Sequence, residues 1–188
     1  SGCESRSACT RIPRSVRIIE MSPLIVEHAG RHQVILPATG KSRAYDLETG
    51  EVDLQRMVTV DDAGTILSEM LALGQVHGAV AQGIAQALHE EFVYDDDGVP
   101  LSTTMLDYGI PSAADLPSFE SHLTEHPAPG NPLGYKGIGE SGTIGAVPAV
   151  QNAVIDAVSH LGVRHIDLPL APQRVWRAIN AARESTQG

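Results

Sequence analysis

Residues 126–147 read HPAPGNPLGYKGIGESGTIGAV, and the reading of this stretch decides the kind of fold. Within it, Gly137-Ile138-Gly139-Glu140-Ser141-Gly142 fits the G-x-G-x-x-G pattern of dinucleotide-binding folds letter for letter. In such a fold the glycines follow an apolar strand, so that a pyrophosphate meets the N-terminus of the next helix. Here they follow His126-Pro127-Ala128-Pro129-Gly130-Asn131-Pro132. Prolines at alternate positions remove the N–H groups a central strand must donate. The doubly wound reading fails, and 126–147 is expected to be a glycine- and proline-rich loop.

Working outward, the flanking patterns mix strand and helix. Tyr45-Asp46-Leu47-Glu48-Thr49-Gly50-Glu51 reads as a hairpin turn, after which Val52, Leu54, Val58 and Val60 alternate imperfectly with polar residues, as in a half-buried strand. Asp61-Asp62-Ala63-Gly64 ends that strand. A helix is expected over 75–91, with Val76, Val80, Ile84 and Leu88 at i+4 spacing forming one apolar stripe. A second hairpin, Phe92-Val93-Tyr94, turns at Asp97-Gly98. Downstream, Pro148 suits the first turn of a helix with Val150, Val154, Ala157 and Leu161 on one face and Gly162 as its cap. Residues 163–168 read as a short strand, and Pro172 opens a last helix with Val175, Trp176 and Ile179 inward. There is no internal repeat. The expectation is an α+β fold of mixed strands with two or three packed helices: a poorly patterned or disordered lead over 1–43, an ordered segment over 44–183, and a tail over 184–188. The first twenty residues begin without Met and lack the apolar run of a secretory signal. They read as an unstructured lead, a product of truncation, or sequence foreign to the fold.

Composition narrows the function. A 188-residue chain is long enough for a real core, but with Phe 2, Tyr 4 and Trp 1 that core must be built from Ala, Val, Leu and Ile. The formal net charge of −10 repels phosphate backbones, which argues against nucleic acid as a partner. No basic amphipathic stretch and no run near the roughly 20 apolar residues of a membrane span is present, which argues against a membrane. Cys3 and Cys9 lie too close together to staple the body of the chain, which fits a reducing, cytoplasmic setting, and their C-x5-C spacing is not an iron–sulfur pattern.

Most local motifs fail on context. Ala38-Thr39-Gly40-Lys41-Ser42 resembles the end of a P-loop, but Ile35 stands where the first glycine belongs. Gly139-Glu140-Ser141-Gly142-Thr143 misses the nucleophile elbow at Thr143. His28 and His32 have no acidic or cysteine partner completing a zinc set, and read as surface histidines. Asp95-Asp96-Asp97 is explained by the Asp-Gly turn as readily as by a cation. Asp61 and Asp62 suit an acid/base pair less well than a strand end that hydrogen-bonds a turn.

Two features survive. On the first helix, Gln75, Gln82, Gln86 and His89 form a polar face, while Gly78 and Gly83, each costing about 1 kcal/mol against alanine, favour close approach of a backbone or a flat ligand. In the loop, Glu140 stands among Gly134, Gly137, Gly139 and Gly142, where missing side chains give a general base reach. Spacing alone leaves an exposed glutamate in a flexible loop as the simpler account.

The segments 74–83 (GQVHGAVAQG) and 131–146 (NPLGYKGIGESGTIGA), with the ending 167–176 (DLPLAPQRVW), resemble the C-terminal part of the molybdenum hydroxylase large subunit. This is the family of xanthine dehydrogenase, aldehyde oxidase and carbon monoxide dehydrogenase large chains. The resemblance covers about 44–183 and departs from the family at Leu67-Ser68-Glu69, where Asn-Pro is usual, and over 1–43. It implies the C-terminal half of a molybdopterin-binding domain. The cofactor is molybdopterin, as the cytosine dinucleotide or plain, holding molybdenum with no protein side chain on the metal. By resemblance Glu140 is the catalytic base, taking the proton from the water-derived hydroxyl that attacks an electron-poor carbon of an aldehyde, purine or N-heterocycle. The resemblance also implies that Gln75 hydrogen-bonds the cofactor, that Lys136, Gly137 and Gly139 line its approach, and that electrons leave through [2Fe-2S] clusters to FAD on partner subunits. The implied partners are the remaining part of the large subunit, an iron–sulfur subunit, an FAD subunit and a small-molecule substrate. A fragment of this kind is expected to be inactive alone and to expose an apolar face. The competing reading is a truncated, non-catalytic relative with a structural or interaction role.

Overall fold

A three-stranded sheet in the order β3–β4–β5 carries two long helices, α1 and α3, that pack on each other (β3 Thr39–Tyr45, β4 Val52–Asp62, β5 Phe119–Thr124, α1 Glu69–Leu88, α3 Ser141–Val158). β3 and β4 are antiparallel and β4 and β5 parallel. A separate antiparallel pair, β1 (Leu24–His28) and β2 (Arg31–Ile35), precedes the sheet. A one-turn helix α2 (Met105–Tyr108), a last helix α4 (Pro172–Gln187) and two 3-10 turns (Ala113–Asp115 and Ser159–Leu161) complete the elements among the described residues. The computed structural model describes residues 24–28, 31–35, 39–45 and 49–187. The expected α+β class is the class observed. Cys3 and Cys9 lie outside the described residues.

The imperfect alternation along β4 has a physical origin. Lys41 pairs with Arg56 but Ser42 pairs with Leu54, so Gln55 is an extra residue on β4, a β-bulge. Before it Leu54 is buried; after it the parity switches and Met57 and Thr59 turn inward, leaving Val58 and Val60 half-buried. On β5, Ser121 accepts a hydrogen bond from the Thr59 hydroxyl at 3.0 Å, locking the parallel register.

α1 carries the expected stripe. Val76, Val80 and Ile84 are fully buried and Leu88 nearly so, each worth about 1.5–3 kcal/mol. The helix begins six residues before the expected start at 75, and ends at Leu88 rather than at 91. Its first turns, with Met70 and Leu71 exposed, carry no stripe for periodicity to detect, although Glu, Met, Leu and Ala all favour helix.

Three downstream expectations are corrected. The loop expected to run to 147 ends at Glu140. α3 starts at Ser141 and puts Pro148 inside the helix rather than in its first turn. Packing on α1 overrides propensity here, since Gly142 and Ala146 are both buried against it. No strand forms over 163–168. Val163 and Ile166 are buried, but the Ile166 carbonyl accepts from the Gln151 side chain at 3.0 Å, and the segment is fastened by Leu170 N–H donating to the Ala87 carbonyl at 2.7 Å. In α4, Val175 and Ile179 are buried as expected, whereas Trp176 is 44% exposed on the flank of that stripe.

The second hairpin forms its turn but no strands. Gly98 adopts φ +79° and the Asp95 carboxylate accepts from the Asp97 and Val99 amides at 3.0 and 2.8 Å, while only Tyr94 and Pro100 form a bridge. Gly162 is left-handed and closes the 3-10 turn after α3, as expected. The core is Val, Ile, Leu and Ala with Met57, and no aromatic side chain is fully buried among the described residues.

Candidate functional site

Glu140 is the N-cap residue of α3, exposed, and its carbonyl accepts the Ile144 amide at 3.1 Å. The loop before it carries no regular structure over 137–139. The start of α1 lies beside this loop. A Cβ placed on Gly139 would stand 4.0 Å from Gln75 Oε1, so the carboxamide of Gln75 and the residue preceding Glu140 share one surface.

The helix pair fixes that arrangement. Gly142 sits so close to α1 that a Cβ there would be 2.9 Å from the Ala79 Cβ and 3.0 Å from the Val76 carbonyl oxygen. The Thr143 hydroxyl donates to the Ala79 carbonyl at 2.9 Å. The first turn of α3 is therefore bonded to the second and third turns of α1, and Glu140 is two residues from that contact.

The loop glycines divide into two kinds. Gly134 has φ +73° and a Cβ there would come 2.6 Å from Thr65 Oγ1, so backbone conformation and close packing require glycine. Gly142 is glycine because α1 is against it. A Cβ on Gly137 would meet nothing within 4 Å, and one on Gly139 would meet only Gln75. The expected bare surface is thus confined to Gly137 and Gly139, where open space beside Gln75 and Glu140 leaves room for a bulky group. On α1 the same division holds: Gly83 is pressed against Thr143 and Ala146, whereas Gly78 faces open space.

Lys136 is tied to the end of β4 through both its charge and its backbone. Its ammonium is paired with Asp62 Oδ2, and its amide donates to the Ala63 carbonyl at 3.0 Å. Asp62 ends β4, as the strand-end reading expects, and its Oδ1 accepts from the Gly64 and His126 amides at 3.0 Å each. Burial pushes the Asp62 carboxyl up, but hydrogen bonds from Lys136, His126 and Gly64, with the lysine charge, hold it below the usual carboxylate range. The Asp62–Lys136 pairing was not legible in the sequence; the one signal is the Asp-x-Gly turn of Asp62-Ala63-Gly64. Gln82 and Gln86 are exposed along α1 and His89 is exposed just past its end, while His77 stacks edge-on to Phe119 of β5 at 5.7 Å, turned to the sheet. Among the described residues no cluster of three His, Cys, Asp or Glu can hold a metal ion, and no helix is long and apolar enough to cross a membrane.

Residues 43–117 match the family described as the molybdopterin cofactor-binding domain. The chain is 38% identical over 134 residues to the carbon monoxide dehydrogenase large chain of Hydrogenophaga pseudoflava, covering 71% of this chain and 17% of that one. It is 41% identical over 133 residues to the nicotine 6-hydroxylase large subunit of Paenarthrobacter nicotinovorans, covering 71% and 16%. The structure of reconstituted CO dehydrogenase from Oligotropha carboxidovorans matches with a TM-score of 0.75 at 34% identity, over 79% of this chain and 18% of that one. The fold and these matches define a molybdenum-binding domain of the hydroxylase and dehydrogenase type. The chain belongs to the molybdenum hydroxylase large-subunit family, with the carbon monoxide and xanthine dehydrogenase large chains among its relatives. It spans less than a fifth of the length of those relatives.

Proposed function

We propose that this domain forms the base-bearing wall of a molybdenum hydroxylase active site. The observation that carries the reading is the position of Gln75 Oε1, 4.0 Å from where a Cβ on Gly139 would stand, beside Glu140 and with open space over Gly137. Gln75 is free to hydrogen-bond a cofactor, and the bare backbone at Gly137 and Gly139 admits one too bulky to approach past side chains. Molybdopterin, as the cytosine dinucleotide or plain, would supply the two-electron oxidising centre there when bound.

The chain's own contribution is proton chemistry. The exposed Glu140 carboxylate, which has no hydrogen-bond partner among the described residues, is available to take the proton from an attacking water-derived oxygen, a service worth about 10²–10⁴ in rate. The substrate is an electron-poor carbon, in an aldehyde, purine or N-heterocycle. Relatives named for carbon monoxide and for nicotine are about equally similar over this segment, so substrate choice is made by residues elsewhere in the complex. The partners are the remaining part of the large subunit, an iron–sulfur subunit with [2Fe-2S] clusters and an FAD subunit. The 188-residue chain by itself is inactive.

Co-expression with those companion chains tests this. Molybdenum and pterin should co-purify, and Glu140→Gln should remove most turnover while keeping molybdenum. A folded chain that recovers neither cofactor nor activity with any companion would favour the structural role instead.

A further inference from the structure

We infer that Asp62 is the positioning residue for Glu140, acting through Lys136; this rests on the reading of Glu140 as the base. No helix or strand holds residues 137–139, so the place of Glu140 is set by what anchors the segment at either end. The downstream anchor is Gly142 and Thr143 on α1. The upstream anchor is a clamp around one carboxylate. Asp62 Oδ1 takes the Gly64 and His126 amides and Oδ2 takes the Lys136 ammonium, so a single side chain ties together the end of β4, the segment after β5 and the approach to Glu140. His126 Nδ1 lies 3.8 Å from Oδ2 and completes the surround. Backbone bonds close the same joint: Lys136 N–H to the Ala63 carbonyl at 3.0 Å and Thr65 N–H to the Gly134 carbonyl at 3.1 Å.

Charge makes the clamp selective. Lys136 is the only Lys or Arg between Arg56 and Arg164, so the only such cation in that whole stretch is committed to Asp62. Both partners are about one-third exposed, which makes a lone ion pair weak. The two amide bonds to the same carboxylate are what give Asp62 its hold, because charge-assisted hydrogen bonds are the stronger kind. Glu140 follows Lys136 by four residues and precedes Gly142 by two, leaving little slack between the anchors.

Amide hydrogen exchange on the full chain tests the clamp without any cofactor. Asp62→Ala should speed exchange at Lys136 and Thr65 about ten- to a hundredfold while Val80 and Val154, in the α1 and α3 core, keep their rates. Asp62→Asn, which keeps an acceptor for the two amides but loses the ion pair, should fall between. Lys136→Met should match Asp62→Asn and add nothing to it, and Lys136→Arg should keep exchange slow. In the reconstituted complex Asp62→Asn should lower kcat with KM and molybdenum content unchanged, a split that general destabilisation does not produce. Unchanged exchange at Lys136 in Asp62→Ala, or a rise shared equally by α1 and α3, overturns the inference. Retained turnover in Glu140→Gln would instead sink the base assignment while leaving the exchange result intact, so the two failures are distinguishable.

Discussion

Gly83 of α1 and Ala146 of α3 approach so closely that a Cβ on the glycine would lie 2.6 Å from the alanine methyl. The Thr143 carbonyl oxygen would be 2.9 Å away on the same side. This contact, with its counterpart at Gly142, sets the spacing of the two helices that present Gln75 and Glu140. Gly83→Ala is therefore expected to destabilise the fold by about 1–3 kcal/mol through overpacking, even after the gain in helix propensity. Gly78→Ala, on the same helix with nothing within 4 Å, should stabilise it by about 0.5–1 kcal/mol. Urea unfolding of the two variants side by side gives the signs; equal signs would mean the helices are not held at this distance.

The loop glycines make a parallel contrast. Gly137→Val and Gly139→Val place their side chains in open space at backbone angles open to any residue, and should change stability by no more than about 0.5 kcal/mol. Gly142→Val would drive a branched side chain into Ala79 and Val76, costing about 1–3 kcal/mol or more. In the complex with companion chains, the first two variants should nevertheless lose molybdenum, measured by metal analysis of the purified protein. Full metal content in Gly137→Val would show that this face is not where the cofactor lies.

What the sequence disclosed was whatever repeats at a fixed period or punctuates the chain. The α1 stripe at Val76, Val80, Ile84 and Leu88, the turn at Asp97-Gly98, the cap at Gly162 and the start at Pro172 all belong to that kind. The start of α3 did not, because Gly142, Gly145 and Pro148 argue against helix locally and only burial of Gly142 and Ala146 against α1 overrides them. Partnering along 163–168 was hidden for a similar reason: buried residues there are bonded by a distant glutamine instead of a neighbouring strand. At the candidate site, the resemblance singled out Gln75 and Glu140. The Asp62–Lys136 clamp was not legible, since the partners are 74 residues apart and the Asp62-Ala63-Gly64 turn, its one local signal, does not point to Lys136.

Acid should weaken the clamp. The Asp62 carboxyl titrates below its ordinary value in the folded chain, so its contribution to stability is present above the unfolded pKa, about 3.9, and is lost as pH falls through the folded value. Asp62→Asn should accordingly lie below wild type in unfolding free energy at pH 7, with the gap shrinking once pH drops under about 4. Urea titrations at neutral pH and near pH 3 measure the gap directly. A gap that stays constant or widens toward acid would contradict the charge-based hold of Lys136, Gly64 and His126 on this carboxylate.

The start of α1 exposes apolar surface on a scale that a stable surface helix avoids: Leu67 is 75% exposed, Met70 78% and Leu71 66%. Such side chains gain about 25 cal/mol for each Å² of apolar area removed from water, so neighbouring chains offer each other a favourable contact. In the relatives this same segment is embedded in a polypeptide more than five times as long as the matched stretch. The 188-residue chain by itself should therefore self-associate as concentration rises, seen as a growing sedimentation coefficient. Replacing Leu67, Met70 and Leu71 together by glutamine should suppress that association while shifting unfolding free energy by only a few tenths of a kcal/mol per site, since none of the three is buried. A wild-type chain that stays monomeric throughout would mean these side chains are too dispersed to act as one face.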